Sequence, residues 1–166
     1  MPPLTPYSGA LNSREPLGAM RDSIARMAAI TAPWTAADFE RTYAPGKWSA
    51  RKILTHLAQT EMALGTRARM TLATPNYTSQ NFDQDVWMRR ESGLDGPTAL
   101  QAFLALARMN LVFFASLSSA DRAVPLTHPE YGALTVDWIL YQMAGHQIHH
   151  LGQLEGLQAP GPRLQS

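Results

Sequence analysis

The 166-residue chain contains no cysteine. That excludes a disulfide framework, a thiolate nucleophile and any cysteine-ligated zinc, so a bound metal would have to rely on histidine, aspartate or glutamate. An excess of charge of one sign is also missing: 14 Lys plus Arg stand against 13 Asp plus Glu, a net +1. The basic residues are dispersed, with Arg89-Arg90 the only arginine doublet. Such a balance gives no electrostatic footprint for nucleic acid, and no nucleic-acid partner is expected. The start, Met1-Pro2-Pro3-Leu4-Thr5-Pro6-Tyr7, has neither the basic residues nor the apolar run of a signal peptide, so a cytoplasmic location is expected. The most apolar stretch, residues 102–117, is interrupted by Arg108 and Asn110. It reads as too short to span a bilayer and better suited to a core helix, so no membrane partner is expected.

Several catalytic signatures are absent as well. There is no His-Glu-x-x-His of a zinc protease, no pair of Glu-x-x-His units of a di-iron bundle, no Gly-x-Ser-x-Gly elbow and no glycine-rich phosphate loop. Neither an internal repeat nor a low-complexity tract occurs.

What the chain does have is helical periodicity. Four segments carry apolar residues at three- and four-residue spacing, and nothing of comparable length alternates like a strand. The first covers residues 15–32 and stops at Pro33. The second follows Pro45-Gly46-Lys47-Trp48 with Ser49 as N-cap and runs to Pro75. The third opens at Pro97 and continues to Leu117, and the fourth runs from Thr135 to Leu157, before Pro160-Gly161. This pattern predicts an all-α four-helix bundle in one domain, residues 14–159, with a loose N-terminal arm over residues 1–13 and a short tail over 160–166. Residues 33–48 hold enough for a small extra helix, Thr35-Ala36-Ala37-Asp38 suiting a capping box. Residues 74–96 form a long polar link of the kind that often carries function.

Ligand-type side chains gather in one place, Gly145-His146-Gln147-Ile148-His149-His150-Leu151-Gly152-Gln153-Leu154-Glu155. Residues four apart on a helix return nearly to one face, so His146 and His150 can point at one ion. Both are in register with Ile139 and Met143, on the apolar side, where an imidazole needs hydrogen-bond partners or a metal. Satisfaction by neighbouring carbonyls is the plain alternative for the pair alone. His56, one turn after Ile53 on the second helix, could meet them at mid-bundle and complete a three-histidine site with one open position. His149, about 100° of rotation from His150, falls on a flank with Trp138, Gln142 and Gln153, as a supporting or surface residue and a substitute ligand at most. His128 precedes Pro129 and reads as a loop residue. Glu61 and Glu155 read as ordinary helix residues, either of which could orient a ligating imidazole.

Three stretches resemble the DinB-like family of metal-binding helical bundles: Ala44-Pro45-Gly46-Lys47-Trp48-Ser49 leading into Ile53-Leu54-Thr55-His56-Leu57-Ala58-Gln59-Thr60-Glu61, then Asn81-Phe82-Asp83-Gln84-Asp85-Val86-Trp87, and the Gly145–Gln153 run. The resemblance implies a four-helix bundle, frequent dimers, and one divalent ion, commonly zinc or nickel, on histidines matching His56, His146 and His150. It implies thiol transferases or isomerases that use a low-molecular-weight thiol, or hydrolases. Some isomerase relatives carry a glutamate where this chain has His146, which sets it apart from that subgroup. An open position on such an ion would activate either water or a thiol, and the thiol would have to be a cosubstrate here. The expected activity is therefore metal-dependent transfer of a small thiol to a small-molecule electrophile, with hydrolysis as the closer alternative. A non-enzymatic metal-binding or stress-related dimeric bundle is the alternative of another class. An accessible cleft at the open position, lined by Trp48, Phe82 or Trp87, would separate enzyme from structural protein.

Overall fold

In a computed structural model, which describes residues 1–157, seven helices and one β-hairpin follow one another along the chain. The helices are α1 (Ser8–Leu11), α2 (Pro16–Thr31), α3 (Ala50–Ala73), α4 (Gln84–Arg90), α5 (Gly96–Ala115), α6 (Ser119–Arg122) and α7 (Val136–Glu155); the strands are β1 (Pro125–His128) and β2 (Gly132–Thr135). The four long helices are those the periodicity predicts, and they form a four-helix bundle. Their starts are set by side chains that satisfy the first free backbone N–H groups. Glu15 accepts from Leu17 and Gly18, Ser49 from Lys52, Asp95 from Thr98, and Thr135 from Trp138.

The order of packing explains the long connection between α2 and α3. Each of α2 and α3 packs against both α5 and α7, whereas α2 and α3 themselves are not among the substantial contacts. α2 and α3, consecutive in sequence, thus sit diagonally, and the link between them must cross the end of the bundle. Residues 32–49 make this crossing with a 3-10 turn at Asp38–Glu40, where Asp38 Oδ2 accepts from the Thr35 N–H and hydroxyl and Phe39 is buried against Trp34. The small extra helix expected there is this single tight turn.

Three features differ from the sequence reading. First, the N-terminal arm is packed: α1 lies on α7, Thr5 and Leu11 are buried, and the Trp138 indole donates to the Leu4 carbonyl at 2.9 Å. Second, the link before α7 contains a hairpin with register Pro125↔Thr135 to His128↔Gly132, closed by Gly132 at φ +71°. Two four-residue strands are too short for alternation to register, although a three-residue connection followed by a left-handed glycine is an ordinary hairpin device. Residues 77–79 dock along β1, with Ser79 N–H donating to Thr127 O and Thr127 N–H to Tyr77 O, both about 3 Å. Third, α5 is the one described helix with the length and composition to cross a membrane, so length does not rule it out as a span. Here it packs on α3 and α2 and buries Ala99, Phe103, Ala107 and Phe114. The tail expected at 160–166 and the domain's last two residues lie outside the described residues.

The apolar interior is in two parts. One gathers Met20, Leu64, Phe114, Ile139 and Met143, the other Ile24, Ile53, Leu57, Phe103 and Leu154. Where they meet, α3 and α7 present buried polar side chains instead: His56, Gln59, Thr60 and Glu61 on one helix, His146, Gln147 and His150 on the other. This polar waist at mid-bundle is the place for function, because buried polar groups persist only when something satisfies them.

Candidate metal centre

The structure brings His56, His146 and His150 together. All three are about 95% buried, and one ring nitrogen from each lies within 4.8 Å of the other two. His56 Nε2 is 2.9 Å from His146 Nε2, which is 3.0 Å from His150 Nε2. The His146–His150 spacing follows from one helical turn of α7, and His56 is delivered by the packing of α3 on α7. Tetrahedral binding with bonds of about 2.0–2.1 Å needs nitrogens about 3.3 Å apart. The observed spacing is a few tenths shorter, a difference small side-chain rotations absorb.

Protonation favours the same role. Burial, followed by the neighbouring imidazoles, lowers the pKa of His56 to about 4 and that of His150 to about 3, and holds His146 well below the ordinary histidine value. All three are therefore neutral at physiological pH, as metal ligands must be. Gln153, one turn beyond His150, fixes a tautomer: its Oε1 is 2.7 Å from His150 Nδ1, so the proton sits on Nδ1 and the Nε2 lone pair faces the cluster. Gln153 is itself held by the Tyr43 hydroxyl and by His149 Nε2, each 3.2 Å away. His56 Nδ1, by contrast, is buried with no partner.

Aromatic rings wall the cluster. Trp48 meets His56 edge-on at 5.2 Å, Phe82 stacks over it at 6.4 Å, and Tyr7 meets His146 edge-on at 4.9 Å. Tyr7 reaches this position because residue 145 is glycine: a Cβ there would lie 2.6 Å from the Tyr7 carbonyl oxygen. Trp87 lies behind Phe82 at 4.9 Å, lining a neighbouring groove with Met62 and Met70. Of the three aromatics expected around the site, Trp48 and Phe82 touch it and Trp87 backs it.

Two clefts reach the histidines from different sides. One, about 210 Å³, touches His56 and His146 and extends past Arg67 and His128 to Tyr131 and Trp138. The other, about 320 Å³, touches His56 and His150 and is bordered by Tyr43, Lys47 and Trp48. Tyr7 and Gln84 border both. A further cleft of about 300 Å³ between α3 and α4 lies beyond Trp48 and contains no histidine.

His149 is exposed and meets Tyr7, Gln153 and the His150 ring edge-on at 4.9 Å, and its nitrogen bonds Gln153 rather than joining the other imidazole nitrogens. Glu155 is at the surface, paired with Arg26. Two residues hold buried positions that their sequence context does not announce. His128 is buried at the end of β1 and borders the first cleft, and its burial depends on the hairpin. Glu61 is fully buried, touches no imidazole, and accepts from Gln147 Nε2 at 2.7 Å and Asn110 Nδ2 at 2.9 Å. Desolvation raises its pKa to about 7 against those two hydrogen bonds. Only the i, i+3 position of Gln153 relative to His150 was available in the sequence as a pointer to its role.

The sequence model of the DinB superfamily matches residues 19–154. This chain belongs to that superfamily. Among similar proteins are two from Oceanobacillus iheyensis, both named as candidate metal-dependent hydrolases. They are 24% and 21% identical to this DinB protein over 119 residues, 71% of this chain and 69% of each relative. Among solved structures, YfiT from Bacillus subtilis, described as a candidate metal-dependent hydrolase with an unusual four-helix bundle topology, superposes with a TM-score of 0.75. It shares 19% identity over 86% of this chain and 83% of its own. The mycothiol-dependent maleylpyruvate isomerase superposes with a TM-score of 0.70 at 14% identity, over 91% of this chain and 63% of that one. Both likenesses carry the bundle fold across low sequence identity.

Proposed function

We propose that His56, His146 and His150 hold one divalent ion, zinc or nickel, and that the protein transfers a low-molecular-weight thiol to a small-molecule electrophile. Convergence of three neutral imidazoles supports the ion. The two clefts meeting at them carry the choice of reaction. Transfer between two molecules needs two approaches to one centre, whereas hydrolysis needs one and water. An ion bound there supplies Lewis acidity that lowers the pKa of a thiol or water at the open position. The chain's own residues do the rest. Gln153 keeps His150 in the ligating tautomer, Tyr7, Trp48 and Phe82 exclude bulk water, and Tyr7 and Gln84 sit between the two reactants. In the transfer the thiol would give its proton to solvent and its sulfur would form a C–S bond as the carbon's bond to its leaving group breaks, the leaving group departing with that electron pair and taking up a proton from solvent.

Metal-dependent hydrolysis is the second reading, favoured by the names of the Oceanobacillus relatives and YfiT. The isomerase neighbour's use of a thiol favours the first. The clefts disfavour a purely structural ion, which would be sealed. A homodimer is part of the proposal, with exposed Met109 and Val112 on α5 as the apolar surface a second copy would cover.

The deciding experiment is metal analysis of untagged protein beside the His56→Ala variant, followed by electrophile consumption with and without a panel of small thiols. About one ion per chain, lost in the variant, with thiol-dependent consumption, is expected. Thiol-independent turnover of an ester or amide panel would replace transfer by hydrolysis. No ion in either protein, with failed reconstitution, would overturn both.

A further inference from the structure

Four arginines of this chain have carboxylate partners, and the most buried arginine among the described residues does not. Arg26, Arg41, Arg51 and Arg122 pair with Glu155, Asp38, Glu40 and Asp137, all on partly exposed side chains. Arg67 is 7% exposed and makes no ion pair among the described residues. Its Nη2 donates to the Gln80 carbonyl at 2.8 Å, a neutral partner for a side chain that stays charged at any physiological pH. Nearby Arg69 differs: it donates to the Gly65 carbonyl and Asn110 Oδ1, and lies 4.2 Å over the Phe113 ring. A buried charge with no ion pair, felt by the Glu130 carboxylate only from across the cleft, is costly enough to need a reason.

The reason lies in where Arg67 points. Along α3, His56, Thr60, Leu64 and Arg67 form one stripe and all border the cleft that reaches the three histidines. Eleven residues separate His56 from Arg67, about 16 Å of helix rise. The arginine side chain leans back toward the helix start and shortens that span. Across the cleft, His128 Nδ1 accepts the backbone N–H groups of Glu130 and Tyr131 at 3.1 and 3.4 Å. Those bonds place the imidazole proton on Nε2, making it a second donor. Tyr131 lies tilted against His128 at 4.9 Å and against Trp138 at 5.4 Å, giving the cleft an aromatic wall.

We propose that Arg67, aided by His128, is the carboxylate-binding group of this cleft, and that the electrophile the protein acts on is a small anion whose reactive carbon is held toward the three histidines. The substrate class rests on the metal-centre reading above; the anion subsite itself does not. The planar guanidinium fork matches a carboxylate in two-point geometry, and a cleft of about 210 Å³ takes a compact planar acid. Glu130, exposed at the cleft rim and accepting from Asn81 Nδ2, disfavours anions from the other side and sets a modest affinity.

Calorimetric titration of benzoate and of neutral benzamide tests this, against the metal-loaded wild type, R67M, R67K, E130Q and H146A, with the metal content of each measured. Expected are benzoate binding by the wild type, benzamide weaker by about tenfold or more, R67M weaker for benzoate by a similar factor with its metal retained, and R67K intermediate. E130Q, a rim variant that leaves Arg67's own contacts in place, should bind benzoate several-fold tighter, which keeps the test decisive if R67M does not fold. Benzoate binding should survive in H146A. Equal binding by wild type and R67M, binding lost in H146A but unaffected in R67M, no benzoate binding at all, or binding of inorganic phosphate in place of benzoate would each overturn the carboxylate subsite. A wild type without metal that still binds benzoate through Arg67 would overturn the metal-centre reading and leave the subsite standing.

Discussion

The two halves of the polar waist, supplied by the same helices, solve the problem of buried polarity in opposite ways. On one side Glu61 of α3, Gln147 of α7 and Asn110 of α5 bond to one another, and Asn110 also donates to the Glu61 carbonyl at 2.9 Å. Gly65 lets Asn110 come this close, since a Cβ there would lie 2.4 Å from its amide oxygen. On the other side His56, His146 and His150 aim like atoms at one point, which no arrangement of imidazole protons satisfies fully, and clefts lead in from two directions. His146 and Gln147 are neighbours in sequence and belong to different halves. A polar cluster that bonds mainly within itself, with only Gln147 Oε1 left without a partner, ties three helices together, whereas one whose lone pairs converge on a gap is arranged for something that is not protein.

The sharpest break between the halves should come from His146→Ala beside Glu61→Ala. Losing one of three ligands should weaken divalent-metal binding more than a hundredfold, read by competition with a chromophoric chelator. Glu61→Ala should keep the metal and lose about 2–4 kcal/mol of stability in urea at pH 5, where Glu61 is protonated, because it leaves a cavity and strips partners from Gln147 and Asn110. If Glu61→Ala lost the metal as completely as His146→Ala, the two clusters would be one functional unit and the distinction would fail.

Acid should strike the open half and alkali the closed one. In metal-depleted protein the histidines have folded pKa values below their ordinary 6.5, about 4 for His56 and about 3 for His150. The unfolded chain therefore takes up protons first. Their contribution is fully present above pH 6.5 and is lost progressively as pH falls toward 3–4. Glu61 runs the other way. Its folded pKa of about 7 lies above the ordinary 4.5, so its contribution is present below pH 4.5 and is lost as pH rises to 7. Glu61→Gln removes that titration and supplies an amide donor to Gln147 Oε1, which lacks a partner. Urea unfolding of wild type and variant from pH 5 to 8 should show the variant gaining relative stability by up to about 3 kcal/mol. Parallel profiles would mean that Glu61 is ionised throughout.

Much of the open half was legible in the sequence. The i, i+4 histidines, their register with Ile139 and Met143, and His56 after Ile53 are properties of helical period, and the period was legible in all four long helices. What was not legible depended on contacts between segments distant in the chain. Tyr7 borders the site because Gly145 admits its backbone, and no pattern in residues 1–13 announces that. His128 becomes part of a cleft because a hairpin too short to show alternation is pinned by residues 77–79. Glu61 looked like any helical glutamate, since its burial comes from Asn110 on a helix almost fifty residues later.

The finest test separates two residues that share one glutamine. Gln153 Oε1 holds the His150 Nδ1 proton, and its amide nitrogen contacts His149 Nε2 and the Tyr43 hydroxyl. A residue that fixes the orientation and tautomer of a ligand is worth about 10- to 100-fold in metal affinity. Gln153→Ala should fall in that range, while Gln153→Glu, which still accepts from Nδ1, should retain most of the affinity. His149→Ala removes an exposed ring that meets the cluster through Gln153 and edge-on against His150, and Tyr43 still anchors the Gln153 side chain, so the loss should stay within a few-fold. A His149→Ala loss equal to that of His146→Ala would make His149 a ligand, shift the site one residue along α7, and place its opening on the flank beneath Tyr7.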